Sequence, residues 1–299
     1  VKDTVKLVSF RHLKPQCSTQ DLPIGVFDSG VGGLTVLKAL QQHLPHESFV
    51  YFGDTAHVPY GNRTAQDIQT LVRQILSWMA EQPVKMAVMA CNTSSALALD
   101  IVRHEFKIPI LGVILPGAKA AVRQGRRIGI IATMATVASN CYRNAILEIN
   151  PDVEVFQVAC PEFVPLIEAN QIFHPQTRAV VWQRLQPLVA ADIDTLVYGC
   201  THYPHLAPVI QTLLAPAVVR VDPALHMAMA VAQELELLNF KSSQSQPFTR
   251  FFVSGHPEQF ATASRHWLGF VPEVERVTLL GVTPSLHHLA REDDTVLQC

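Results

Sequence analysis

Ile24-Gly25-Val26-Phe27-Asp28-Ser29-Gly30-Val31-Gly32-Gly33-Leu34 is the stretch that decides the fold. An apolar run enters an aspartate, a hydroxyl and a glycine-rich turn, and Leu34, Leu37, Leu40 and Leu44 then recur at helical spacing. Strand, turn and helix in that order open an α/β domain, because a strand that is to be followed by a parallel neighbour needs a helical crossover. The turn lacks the Gly-Lys-Ser/Thr ending of a phosphate loop, and Thr35 stands where a dinucleotide fingerprint has its last glycine. A nucleotide site is therefore disfavoured. Glycines before a helix can still cradle a carboxylate, and Asp28 at the strand tip can hold an ammonium group or polarise a thiol.

Working outward, a strand at 49–52 is followed by the loop Gly53-Asp54-Thr55-Ala56-His57-Val58-Pro59-Tyr60-Gly61 and by Thr64, with Asp67 three residues on as a helix cap. Ile68, Leu71, Val72, Ile75, Leu76 and Met79 lie on one helical face, Pro83 ends it, and 84–90 reads as a strand covered on both faces. The alternation continues with helices near 94–105, from Pro116, and at 136–147, 163–169 and 176–189, and with strands at 108–114, 128–132, 153–158 and 195–198. Such alternation predicts parallel sheets with helices on both faces. Residues 1–23 read as an extension, 241–247 as a flexible polar linker, and the last hundred residues give few signals.

Two internal matches add to this. Residues 24–29 align with 128–133 at an offset of 104, and Val88-Met89-Ala90-Cys91-Asn92-Thr93 aligns with Val197-Tyr198-Gly199-Cys200-Thr201-His202 at an offset of 109. Nearly equal offsets predict two related α/β units, with a cysteine at the same point of each.

Composition narrows the function. The chain has 299 residues, 48% hydrophobic and 16% charged, with 23 basic against 25 acidic side chains. A net charge of −2 offers no basic surplus for a nucleic acid. The first residues carry no apolar signal segment, and the apolar stretches 84–102 and 108–122 are broken by polar residues and prolines, so a cytoplasmic, membrane-free protein is expected. The six cysteines form no CxxC pair and read as free thiols.

In open parallel sheets, ligands bind beyond the carboxyl ends of the strands, where Asp28, Asp54, Cys91, Thr133 and Cys200 all fall. Cys91 is followed by Asn92-Thr93-Ser94-Ser95 and Cys200 by Thr201-His202, each at an expected helix start, which favours a thiolate. His202 adds an imidazole able to carry the thiol proton. Cys17, Cys141, Cys160 and Cys299 combine no strand end with a polar cluster and read as packing residues. Two opposed thiols can remove a proton from one face of a carbon acid and return one to the other, and this inversion balances without a cofactor. A pyridoxal enzyme would need a Schiff-base lysine, and only Lys85 falls near the expected cleft.

The motifs FDSGVGGL (27–34), GDTAHVPYG (53–61), ACNTSSA (90–96), ATMATV (132–137), PEFVPLIE (161–168) and GCTHYPHL (199–206), up to Asp222-Pro223, resemble the cofactor-independent glutamate racemases of the aspartate/glutamate racemase superfamily. The resemblance implies two α/β domains with glutamate in the cleft between them: residues 24–115 plus 225–285, and 116–224, flanked by the extension 1–23 and a tail 286–299. It implies that Cys91 takes the α-proton of D-glutamate and Cys200 that of L-glutamate, assisted by Asp28 and His202 respectively. Asp28, Ser29, Tyr60, Gly61, Asn92, Thr93, Thr133, Thr136, Thr201 and His202 would contact substrate, and Asp54 and Glu168 match acidic positions linked to activity. Glu168 is chosen by the resemblance alone, since its spacing marks only a solvated helix residue. No metal and no cofactor are implied; a homodimer and a role in supplying D-glutamate for peptidoglycan are. Ala132 and His57 depart from the family's usual glycine and its frequent arginine.

Other readings stay open on the sequence: a racemase for aspartate or another acidic amino acid, a thiol hydrolase with a Cys200–His202 dyad, a zinc protein using Cys91, Cys200, His202 and Asp28, or a non-catalytic amino-acid-binding module.

Overall fold

The computed structural model describes residues 18–279. In chain order the elements are β1 (Ile24–Asp28), α1 (Leu34–His43), β2 (Phe49–Gly53), α2 (Ala65–Glu81), β3 (Met86–Met89), α3 (Asn92–Val102), β4 (Ile110–Gly112), α4 (Ile114–Gln124), β5 (Arg127–Ala132), α5 (Met134–Ala138), α6 (Cys141–Ile149), β6 (Glu154–Ala159), α7 (Phe163–Glu168), α8 (Pro175–Ala190), β7 (Thr195–Gly199), α9 (Ala207–Ile210), β8 (Val219–Val221), α10 (Pro223–Leu237), β9 (Thr249–Val253), α11 (Pro257–Leu268) and β10 (Val274–Arg276).

Two sheets form, with orders β10-β9-β2-β1-β3-β4 and β6-β5-β7-β8, and every pairing is parallel. The internal repeat reappears as topology: β2-β1-β3-β4 and β6-β5-β7-β8 are the same arrangement. It holds even in register, since Ile24 faces Met86 in one sheet and Ile128 faces Thr195 in the other. Asp28, Cys91, Thr133 and Cys200 therefore end up at the carboxyl edges of central strands, as α/β connectivity requires of a ligand site.

Local chemistry explains the elements. Thr64 and Asp67 form a reciprocal capping box at the start of α2, and the six apolar residues of its expected face are all buried. Strands β1, β2 and β3 of the first sheet are buried along their whole length, as strands covered on both faces are. Helix α1 packs on α10 and α10 on α4, so a continuous apolar core joins the backs of the two sheets.

Four expectations need correction. The helix expected at 136–147 is two helices, α5 and α6, divided at Asn140, whose φ of 56° is a left-handed conformation that asparagine tolerates. Beyond residue 220, strands β9 and β10 extend the first sheet, although their short runs gave no clear signal. The 241–247 segment is pinned rather than free: Ser242 N–H donates to Glu47 (2.8 Å), and the Gln244 amide donates to Asp21 O (2.8 Å). Residues 18–23, read as part of an extension, are fastened to the same place, while 1–17 and the expected tail 286–299 lie outside the described residues.

That fastening centres on Lys85. Its ammonium is buried at the opposite end of the sheet from Cys91, not near the expected cleft, and donates to Gln20 O (2.7 Å), Phe240 O (2.8 Å) and the buried Glu47 carboxylate. Removing one partner of such a pair leaves an uncompensated buried charge. Lys85→Ala is expected to cost about 3–5 kcal/mol in denaturant unfolding, a loss that the exposed pair Arg103–Asp100 would not show on truncation.

Candidate active site

At the tip of β1, Asp28 is 1% exposed. Its Oδ2 accepts from Gly30 N–H at 2.9 Å, while the buried Oδ1 has no protein partner. Burial raises its pKa, opposed by His202 and by the backbone donors of the glycine loop. The glycines serve close approach rather than unusual dihedrals: a Cβ on Gly33 would fall 2.4 Å from Asp28 Cβ, and one on Gly32 would fall 2.4 Å from the His202 ring and from Thr201 Oγ1. Tyr51 holds the loop from beneath, its hydroxyl donating to Gly30 O at 2.7 Å.

Cys91 caps α3 at the end of β3. Burial, then the charge of Asp28, and also that of Cys200, push its thiol up to about 12, against the opposing N–H and hydroxyl of Ser94. At neutral pH Cys91 is therefore a thiol. Cys200, at the end of β7, differs from expectation: only a 3₁₀ turn (Tyr203–Leu206) and the four-residue α9 follow, so no long helix supports it. Its partner is His202, with Sγ to Nδ1 at 3.9 Å, and His202 Nε2 lies 3.0 Å from Glu168 Oε1. Burial pulls the imidazole pKa down, but the bonds to Cys200 and Glu168 outweigh it and hold it at about 10. An imidazolium beside the sulfur stabilises negative charge there. The two cysteines are thus equivalent in topology but have different neighbours, a carboxylate for one and an imidazole for the other.

The remaining predicted residues close the cleft. The Thr93, Thr133 and Thr136 hydroxyls form a triangle with edges of 2.9, 3.3 and 2.9 Å, drawing α3 and α5 together. Gly61 packs on Thr133, where a Cβ would come within 3.0 Å of its side chain. Asn92 accepts from Tyr142 (2.7 Å), and Thr201 O accepts from Thr35 (3.1 Å). Ser29 is partly buried beside Asp28. Tyr60 is buried within electrostatic range of Cys91 and Asp28.

Asp54 is buried at the end of β2. Both of its oxygens are occupied, by Ser254 (2.6 Å) and His57 (2.8 Å) on one and Tyr60 (2.5 Å) on the other, so its geometry supports the 54–61 loop. Ser254, Tyr142 and Trp267, which stands edge-on to His202 with ring centroids 6.2 Å apart, were not marked by any sequence motif. A cavity of about 1040 Å³ adjoins the site, with Gly30, Val31, Glu168 and Trp267 on its wall but neither cysteine. Among the described residues no group of three or more His, Cys, Asp or Glu is placed to hold a metal ion, so the four ligands of the zinc reading do not converge. Among the same residues no helix is long and apolar enough to cross a membrane.

Known proteins share this arrangement. A glutamate racemase of Nostoc sp. is 62% identical over 266 residues, 89% of this chain and 91% of that one. Among solved structures, a glutamate racemase isoform from Bacillus anthracis superposes with a TM-score of 0.85 at 36% identity, covering 87% of this chain and 98% of its own. One from Francisella tularensis, in complex with D-glutamate, gives 0.83 at 35% identity over the same shares. The Asp/Glu/hydantoin racemase profile matches residues 33–231, from the last glycine of the GVGG turn past Asp222-Pro223. With its paired cysteines on repeated parallel sheets, the chain belongs to the Asp/Glu/hydantoin racemase family.

Proposed function

We propose that the protein interconverts L- and D-glutamate by direct proton transfer between two thiols. The observation that carries this reading is the placement of Cys91 and Cys200 at equivalent points of two repeated sheets, both buried and within electrostatic reach of each other. Cys200, as thiolate beside the His202 imidazolium, takes the α-proton of L-glutamate, and the Cys91 thiol gives its proton to the opposite face of the carbanion. D-glutamate leaves, and the reverse reaction uses Cys91 as base and Cys200 as acid. The proton count balances with no cofactor. The unpartnered Asp28 oxygen suits the substrate ammonium or the Cys91 proton, and Ser29, Tyr60, Gly61, Asn92, Thr93, Thr133, Thr136, Thr201 and His202 surround the substrate. Glutamate is favoured over aspartate by the relatives, at 62% identity and 35–36% identity respectively for sequence and structure.

The reading includes a two-domain division at about residues 115 and 224, the first domain completed by 225–285. It also includes a homodimer, a cytoplasmic location and supply of D-glutamate for peptidoglycan.

Incubation with L-glutamate in D₂O, with a chelator, is expected to give loss of optical activity together with α-deuteration; absence of exchange from either enantiomer would overturn the proposal. Cys91→Ser and Cys200→Ser should each lower racemisation by at least about a thousandfold while leaving the unfolding transition in place, and full activity in either variant removes that thiol from the mechanism.

Glu168→Gln tests the His202 support. A raised imidazole pKa contributes stability that is fully present below the ordinary value near 6.5 and is lost as pH rises through about 10. The stability difference between wild type and Glu168→Gln should therefore be largest near pH 6 and shrink above pH 10. The alkaline limb of activity should move to lower pH; unchanged profiles would show that Glu168 does not hold the imidazolium.

A further inference from the structure

Each cysteine is followed by a residue tied to the opposite sheet. Asn92, after Cys91, accepts a 2.7 Å hydrogen bond from Tyr142, which is buried in the core of the second sheet with Ile128, Ile130 and Val197. Thr201, after Cys200, accepts a 3.1 Å bond at its carbonyl from Thr35 on α1, which packs under the first sheet. We infer that Tyr142 and Thr35 are reciprocal positioning residues, each using one hydroxyl to fix the loop that carries the other sheet's cysteine.

The chemistry of each bond supports this. Burial, then the charges of Asp222 and Cys200, push the Tyr142 phenol up, so it remains a donor. With Asn92 Oδ1 occupied, the amide is locked in one orientation and its Nδ2 hydrogens are the free donors, the polarity a substrate carboxylate needs. Asn92 is also the first residue of α3, so its position aims the N–H groups that flank Cys91. The Tyr142 ring is itself wedged where the chain crosses between sheets: a Cβ on Gly117 would lie 3.1 Å from Pro223 and 3.3 Å from Tyr142. Thr35 acts on the peptide between Cys200 and His202, and so on the 3.9 Å separation of sulfur and imidazole. Neither residue touches the reacting atoms; both act through a neighbour.

This inference rests on the two-thiol reading, which supplies its test. Enantiomers have equal free energy, so kcat/KM must fall equally in both directions, but primary isotope effects separate the two proton removals. With Tyr142→Phe we expect kcat/KM to fall about tenfold, the worth of one hydrogen bond, the isotope effect to rise with α-deuterated D-glutamate, where Cys91 is the base, and to fall with the L enantiomer. Thr35→Val should do the reverse, and Thr35→Ser should restore wild-type values. A general loss of order would move both isotope effects together, and that result, or no change, overturns the assignment. Should Tyr142→Phe fail to fold, the comparison of Thr35→Val with Thr35→Ser decides. A wild type that exchanges no α-proton overturns the racemase reading and this inference with it, whereas normal wild-type exchange with unaltered variants overturns the inference alone.

Discussion

The distance between the glycine turn of the first sheet and the Cys200 loop of the second governs the cleft. Gly32 lies so close to His202 and Thr201 that a single Cβ would meet both at 2.4 Å. A methyl group there would push the halves apart, and real packing offers little slack for it. The Thr93–Thr133–Thr136 triangle and the reciprocal hydroxyl bonds span the same gap and require the same closure. Opposed proton transfer is short-ranged, so closure is a condition of the chemistry and not a refinement of it.

Within that gap, near-symmetric backbone carries asymmetric electrostatics. The repeat gives both thiols the same strand-end position, but Asp28 stands beside one and His202 beside the other. Burial and a negative neighbour keep Cys91 protonated, while the charge beside Cys200 is an imidazolium. Glu168, half exposed, bonds the buried imidazole from outside the thiol pair and adds to the effect of Cys200 in raising its pKa.

The parts legible in the sequence were those written in local pattern. Continuous apolar strands, glycine and hydroxyl turns and the cysteine clusters located the carboxyl edges, and the two offsets of 104 and 109 residues turned into identical strand pairings. What escaped depends on contacts between distant segments. Ser254 gains its role only by meeting Asp54, 200 residues earlier, and Tyr142 only by meeting Asn92 across the cleft. Lys85 stands before β3 and Cys91 after it, so the two lie at opposite ends of the strand, and the partners of Lys85 come from distant segments at Gln20, Glu47 and Phe240. Cys200 was credited with a helix start that a 3₁₀ turn replaces, and its histidine supplies the positive partner instead.

The first sheet is discontinuous in the chain, since β9 and β10 join it only after the whole second sheet has been made. During synthesis the second unit can therefore reach a closed hydrogen-bonded sheet while the first still lacks its β9 edge partner, and nascent chains fold as units become complete. Until Ser254 arrives, Asp54 lacks one of its three side-chain partners and is held only by His57 and Tyr60 of its own loop. The Asp54–Tyr60 loop thus gains its last anchor only once translation has passed the ninth strand.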